Sequence, residues 1–472
     1  MTCENQTGEK LKKFSNIQLL NFCLGFFGLQ FAWQMRIILS GPVTEGLGAS
    51  PFIFGLIWLA GPVTGMVVQP IIGAMSDNSH TKFGKRRPFI FLGALFASIA
   101  LVLFPNSAGI ADCLQAVIPF KLPALTALVF AAIMIWIIDA CVNAAQGPYR
   151  ALIPDNIPVE QHSLANSYLS FAIGLGSVIA AGTAPFLKWA FNYQMSITAQ
   201  FIMAAVAFFG ATIWTCMTIN EIRREPVKTE EISTEQTAEK KMSFIDSLKA
   251  FFASSPEIAK ICTVQFFTWI GIMCMFIYFT QYAIHTVFGV PDLTSVSEDI
   301  KLSYEATISQ ATNFSSVCFA IFNLICFIVS LPIGILSSKF GNKAIHAIAL
   351  LSMALAFGAM AFTTNTTLVM TFMALAGIGW ASTLALPFAM LTRFISKGSE
   401  GSVMGIFNIF IAGPQIVVCT ILAWFISICS FQTDAGVNYH YEYALITGAI
   451  VLVIGALATL TVNEGKIDQE AE

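Results

Sequence analysis

Few residues in this chain can do chemistry, and the first to consider is an acid with little water near it. Asp139 stands within Ile133-Met-Ile-Trp-Ile-Ile-Asp139-Ala-Cys-Val-Asn143-Ala-Ala-Gln146-Gly-Pro-Tyr-Arg150. Asn143, Gln146 and Arg150 follow it at i+4, i+7 and i+11, so on a helix all four share one face. An ionised carboxylate in hydrocarbon is costly unless it is paired or faces a wet cavity. Two readings are open. In one, Asp139 is a structural carboxylate bound to a neighbouring helix. In the other it binds a proton and a ligand, because burial favours the neutral carboxyl. A neutral carboxyl donates a hydrogen bond where an ionised one only accepts. Its protonation state would then govern how a hydroxyl-bearing ligand is held.

A set of amides and polar aromatics on apolar segments suggests what that ligand is. Rings stack on the apolar faces of a pyranose, and amides bind its hydroxyls. The candidates are Gln30, Trp33, Gln34, Trp58, Gln69, Tyr278, Gln281, Trp380, Asn408 and Gln415, together with Asp139 and Asn143. Each alone also fits a packing or interface role. His285 reads as an interface histidine.

A third group is the run Lys85-Arg86-Arg87 with Asp77, to which Arg150 adds another cation. It marks membrane topology, and it also suits an ion-pair latch between helix ends that breaks and reforms as two halves rock. Arg36 stands apart. It lies ~28 Å along the first apolar segment, against ~12 Å for Asp139 from the corresponding end of the fourth. That offset argues against direct pairing and leaves either an Arg reaching the outer surface or one in an outer vestibule.

The elements that must position these groups follow from composition. Of 472 residues, 56% are apolar and 11% charged, about half the charge of a soluble domain. A soluble enzyme is excluded. Twelve apolar stretches of spanning length lie near 17–41, 51–74, 88–110, 124–147, 163–187, 196–219, 257–285, 310–335, 344–363, 368–391, 401–428 and 441–463. The expected organisation is a cytoplasmic N-terminus at 1–16, a six-helix half at 17–219, a linker at 220–256, a second half at 257–463 and a cytoplasmic tail at 464–472. Twenty of the 24 Lys and Arg fall on the side of the termini and linker, and three on the other. This bias predicts that both termini are cytoplasmic.

Gly73-Ala-Met-Ser-Asp77 with Lys82-Phe-Gly-Lys85 is echoed by Gly334-Ile-Leu-Ser-Ser338 with Lys339-Phe-Gly341. A repeat at a six-span offset is how parallel-repeat transporters are built. The fold class is therefore an all-α membrane protein of twelve transmembrane helices in two six-helix halves, the major-facilitator fold. The 11 Cys contain no C-x-x-C pair, so neither a metal site nor a disulfide framework is indicated. No phosphate-binding G-x-x-x-x-G-K-[ST] occurs, so no cofactor is expected and any pumping draws on an ion or substrate gradient. A net charge of −3 offers nothing to nucleic acid, and a monomer is expected.

Several blocks resemble the sucrose–proton symporters, within the glycoside–pentoside–hexuronide-like group. These are Phe31-Ala-Trp33, Ile57-Trp58 through Gly65, Val68-Gln69-Pro70, Ser76-Asp77, Phe83 through Ile90, Asp139 with Asn143, Gln146-Gly-Pro148, Arg150-Ala-Leu152, Leu386 through Ala389, Gly405 through Asn408, and Pro414-Gln415. The resemblance implies cotransport of a glucoside such as sucrose or maltose with H+, with Asp139 as the protonatable, sugar-contacting acid and Asn143 beside it. Arg36 and Thr280-Gln281 depart from the family pattern, as does Lys85 in place of Arg. The expected protein is a sugar symporter of a plasma or inner membrane. The alternatives are a sodium-coupled or hexuronide carrier, which Arg36 would suit, and a facilitative uniporter.

Overall fold

A computed structural model describes residues 13–79, 81–158, 161–219, 221, 256–293, 296, 298–394, 400–433 and 436–464. Most of the expected N-terminal segment, linker and C-terminal tail lie outside the described residues, Lys10, Lys12 and Lys466 among them, and so does Lys397 between the tenth and eleventh spans.

Helix α1 spans Asn16–Gly46, opened by a reciprocal Ser15–Gln18 capping box. Helix α2 runs over Pro51–Asp77 with a joint at Leu59, and α3 over Arg87–Val117 with a tight turn at Phe104–Asn106 around Pro105. Then come α4 (Thr126–Asn156), α5 (His162–Phe191) and α6 (Ile197–Thr218). Helix α7 (Pro256–Val287) ends in a π-helical turn over Tyr282–Val287. Helices α8 (Glu298–Phe340), α9 (Asn342–Ala361) and α10 (Thr366–Leu391) follow. Helix α11 joins Glu400–Val417, a π-helical Val418–Leu422 and Ala423–Ile428. A hairpin of β1 (Ser430–Thr433) and β2 (Gly436–Tyr439) leads to α12 (Glu442–Leu460).

Twelve of these helices are long and apolar enough to cross a bilayer, so this is a multi-pass membrane protein. Large apolar side chains such as Leu92, Phe96, Val206, Leu331 and Leu355 point outward, as contact with lipid requires. Twelve crossings return the chain to the side it starts from. That side, with Asn16 and Leu460, is called the near end, and the opposite side the far end.

Helices α1–α6 pack chiefly on one another, as do α7–α12, with α1, α2 and α5 meeting α7, α11 and α8 across the middle. Helices α1 and α7 are the most enclosed. Among the described residues, polar links between the two sets include Gln34–Asn323, Glu45–His285, Glu45–Tyr441, and Gln194 with Ser309 and Asn313. All sit at mid-depth or toward the far end. There Gly55 also lets α2 press on Cys419 and Ala423 of α11, where a Cβ would overlap both. The far end is closed.

Three expectations about the elements need correction. Helix α4 continues to Asn156 rather than stopping near 147, because Gly147-Pro148 is carried inside it, with Gln69 of α2 against Gly147. Helix α8 begins at Glu298 rather than near 310. Its first turns are charged but helix-favouring, with acids at the N-terminus where the dipole favours them and Lys301 four residues before Glu305. The stretch before α12 holds a β-hairpin that apolar patterning does not reveal.

Candidate substrate site at the centre of the bundle

The helix lengths decide where Arg36 and Asp139 meet. From the near end Arg36 lies 20 residues up α1, and Asp139 lies 17 residues up the full length of α4. At 1.5 Å per residue these are ~30 Å and ~26 Å, nearly the same depth. Arg36 Nη2 stands 2.7 Å from Asp139 Oδ2, and the two residues are 3% and 4% exposed. The expectation that they do not pair is overturned; it rested on ending α4 nine residues early. The guanidinium also lies 4.3 Å over the Trp58 ring, a cation–π contact that strengthens when desolvated. Two joints help to assemble this group. The break at Leu59 follows Trp58 directly, and Gly61 leaves room beside Asp139 Oδ2.

Around the pair, buried polar atoms lack partners among the described residues. They are Gln34 Nε2, Arg36 Nε, Ser40 Oγ, Trp58 Nε1, Tyr278 Oη and both amide atoms of Gln281. Each unmet group costs about 1–3 kcal/mol, so such a concentration calls for a polar ligand or water. Gln281 presses on Gly41 of α1. Tyr278 connects to Trp58 through Phe54, with ring centroids 6.2 and 6.1 Å apart. Helix α11 contributes Cys419, which is near enough to feel the charges of both Arg36 and Asp139.

Of the expected residues, Asp139 and Trp58 meet at Arg36, Gln281 packs on Gly41 farther along α1, Tyr278 lies beyond Phe54, and Gln34 turns to Asn323 of α8. Trp33 and Trp380 sit one layer away, each with its ring against Phe276, at 5.7 and 5.2 Å. Asn143 serves a seam between α4 and α2, donating to Thr64 Oγ1 and to the Asp139 carbonyl, both at 3.0 Å. Gln69 lies farther along that seam. Gln30 is half-buried on α1, Asn408 is exposed, and Gln415 donates to Ile411 of its own helix at 3.1 Å. None of these last three touches the pair in a described contact. Sequence reasoning missed Ser40, one turn beyond Arg36, and Asn323, which donates to Gln34 Oε1 at 3.1 Å. A lone amide within apolar α8 was the available signal.

The near-end cluster forms, but within one half. Arg86 reaches Asp77 at 2.5 Å, Asp155 at 2.9 Å and Ser76 Oγ at 2.6 Å, and Lys85 lies 3.4 Å from Asp77. The backbone N–H groups of Lys85, Arg86 and Arg87 converge on the Glu221 carboxylate, and Arg87 donates to the Cys216 carbonyl. Arg150 lies 5.9 Å over Phe26. Asp77, Ser76, Asp155, Cys216, Glu221 and Phe26 all belong to α1–α6 or their flanks. The expected latch therefore does not bridge the halves through these contacts, because its acids lie at the ends of α2, α4 and α6.

Residues 22–418 and 292–471 match the family model of the Major Facilitator Superfamily. The chain belongs to that superfamily. Curated relatives include the sucrose transport protein SUT5 of Oryza sativa subsp. indica, 25% identical over 94% of this chain and 87% of its own. Another is the sucrose transport protein SUC4 of Arabidopsis thaliana, 26% identical over 95% and 90%. The general alpha-glucoside permease of Schizosaccharomyces pombe is 26% identical over 69% and 58%. Among solved structures, a D-xylose-proton symporter aligns with a TM-score of 0.63 at 16% identity, covering 95% of this chain and 98% of that one. The nucleoside transporter NupG aligns at 0.61 and 13%, covering 95% and 99%. These structural likenesses show the facilitator fold. As a member of this superfamily the chain is a transporter and not an enzyme.

Proposed function

We propose that this chain is a proton-coupled carrier of a neutral glucoside, such as sucrose or maltose, working by alternating access. The observation that carries the reading is the buried Arg36–Asp139 pair ringed by unpartnered donors and acceptors. The names of the relatives, sucrose transporters and an alpha-glucoside permease, support the substrate class. The preference for a neutral ligand over a hexuronide rests on those names, because a proton on Asp139 would leave the Arg36 charge uncompensated.

A buried ion pair is sustained only by its own attraction and hydrogen bonds. A proton on Asp139 ends that attraction and turns the carboxyl into a donor, while the guanidinium keeps the Trp58 face. Sugar hydroxyls then take up the freed groups of Arg36 and the idle ones of Gln34, Tyr278 and Gln281. Proton and sugar thus each ease the other's entry. The Lys and Arg bias supports a cytoplasmic near end, and the links between the halves at the far end then favour a state closed to the outside of a plasma or inner membrane. One charge moving across 100 mV supplies ~2.3 kcal/mol, about a fifty-fold accumulation before any pH gradient.

The test is external pH in lightly buffered proteoliposomes on adding sucrose, maltose and a glucuronide in turn. Transient alkalinisation is expected with a neutral disaccharide, and Asp139→Asn should abolish it while sugar exchange persists. Sugar entry without a pH change, equally fast in Asp139→Asn, would point to a uniporter or a sodium-coupled carrier. A response to the glucuronide alone would revive the anionic substrate.

A further inference from the structure

At the far end, three elements meet around a histidine that the central site does not use. The π-helical turn closing α7 brings His285 against α1 and the start of α12. Such turns recur at functional sites. His285 Nδ1 lies 2.8 Å from the Val290 carbonyl oxygen, and Nε2 lies 3.1 Å from Glu45 Oε2. The other Glu45 oxygen accepts from Tyr441 Oη at 3.0 Å, and the Tyr441 ring stacks on His285 with centroids 5.0 Å apart.

The proton count of this arrangement is fixed by its partners. A carbonyl oxygen only accepts, so Nδ1 must carry a hydrogen. Neutral imidazole then presents a lone pair at Nε2, facing a carboxylate oxygen that also only accepts. Contact at 3.1 Å therefore requires one added proton, carried either by Nε2 or by the Glu45 carboxyl. Without it, two lone pairs oppose each other and the bond between the halves is lost.

We propose that Glu45 and His285 form a second proton site, which binds one proton as the far end closes and releases it as the far end opens. A route to solvent is present, since both residues line a cavity of about 750 Å³ with Asp292, Lys301 and Glu305. The other charged or titratable groups facing the pair come from the neighbouring elements. Asp292 acts electrostatically on both His285 and Tyr441, Tyr439 lies close on β2, and Glu442 binds Thr286 and His440. The inference rests on the alternating access proposed above, but on neither its substrate nor Asp139.

The experiment measures far-end closure without sugar. Spin labels are placed on Lys121→Cys and Asp299→Cys, both exposed at the far end and one in each half, in full-length protein with Cys3 and Cys113 replaced by Ser. With one linked proton, the closed-to-open ratio falls as pH rises from about 5 to about 9, by up to about tenfold per pH unit. His285→Gln keeps an N–H donor for Glu45 that does not titrate, so its ratio should stay flat. Glu45→Gln should also lose the slope, and it serves if His285→Gln does not fold. A flat profile in the parent protein, or the parent slope in either folded variant, would overturn the proposal. Because no sugar is present, a failed transport assay leaves this result unaffected.

Discussion

At the near end of α2, Ser76 donates to the Gly73 carbonyl at 2.9 Å, and at the near end of α8 Ser337 donates to that of Gly334 at the same distance. Gly84 then turns the chain at φ +111° and Gly341 at φ +86°. A Cβ on either would meet a carboxylate, Glu221 after α6 in one case and Glu464 after α12 in the other. One corner has thus been built twice, six spans apart, and the sequence echo marks it. The copies differ in charge. The first places Asp77, Arg86 and Asp155 in one cluster. The second has Ser338 where Asp77 would be and Lys343 in place of Arg86, and Lys343 caps the Val462 carbonyl at 3.1 Å. Among the described residues, both π-helical turns lie in the second half, one closing α7 at the far end and one in α11 beside the central site. The comparison suggests unequal halves. The first is braced at its corner, and the second carries the π-helical turns that meet it.

Mutations at the two corners test this inequality. The largest effect is expected from Arg86→Ala, which strips a buried cation from two acids and a serine and should cost about 2 kcal/mol. Thermal unfolding in detergent should show this loss, with Lys343→Ala costing much less. Equal losses would mean that both corners brace alike. Next comes glycine replacement. Gly84→Ala should cost about 1.5 kcal/mol, because it strains the turn and displaces Glu221 from three N–H groups, against about 1 kcal/mol for Gly341→Ala. The smallest effect belongs to Ser338→Asp, which restores the missing acid near Lys343. At an exposed site it should add no more than about 0.5 kcal/mol, and a larger gain would show that the second corner accepts bracing as readily as the first.

Much of this architecture is legible in the sequence, because lipid permits few alternatives to an apolar helix. Asp139 stands out for the same reason, as does the Lys85-Arg86-Arg87 corner. What could not be read is depth. Placing Arg36 against Asp139 required knowing that α4 runs through Gly147-Pro148, and a proline after a glycine signals a turn unless a neighbouring helix supports the backbone. Partner choice was equally hidden. Nothing in the spacing shows that Arg86 finds its acids within its own half, or that His285, which reads as an ordinary interface residue, meets Glu45 from the start of the chain. Gln69 and Asn143 look like ligand-binding amides until the α2–α4 seam that they line is seen.

Helix α8 is 43 residues long, ~64 Å of continuous rod where the hydrocarbon layer needs only ~30 Å. Its first eleven residues, Glu298 to Ile308, stand beyond Ser309, which meets Gln194 just past the end of α5. For imaging these turns are a handle, with Asp299, Ser303 and Ala306 exposed on the side away from the cavity wall. A rigid helical fusion or a binding fragment set on those turns would move in register with the second half. It would give single-particle alignment a landmark, and its angle to the membrane would report directly how far that half tilts.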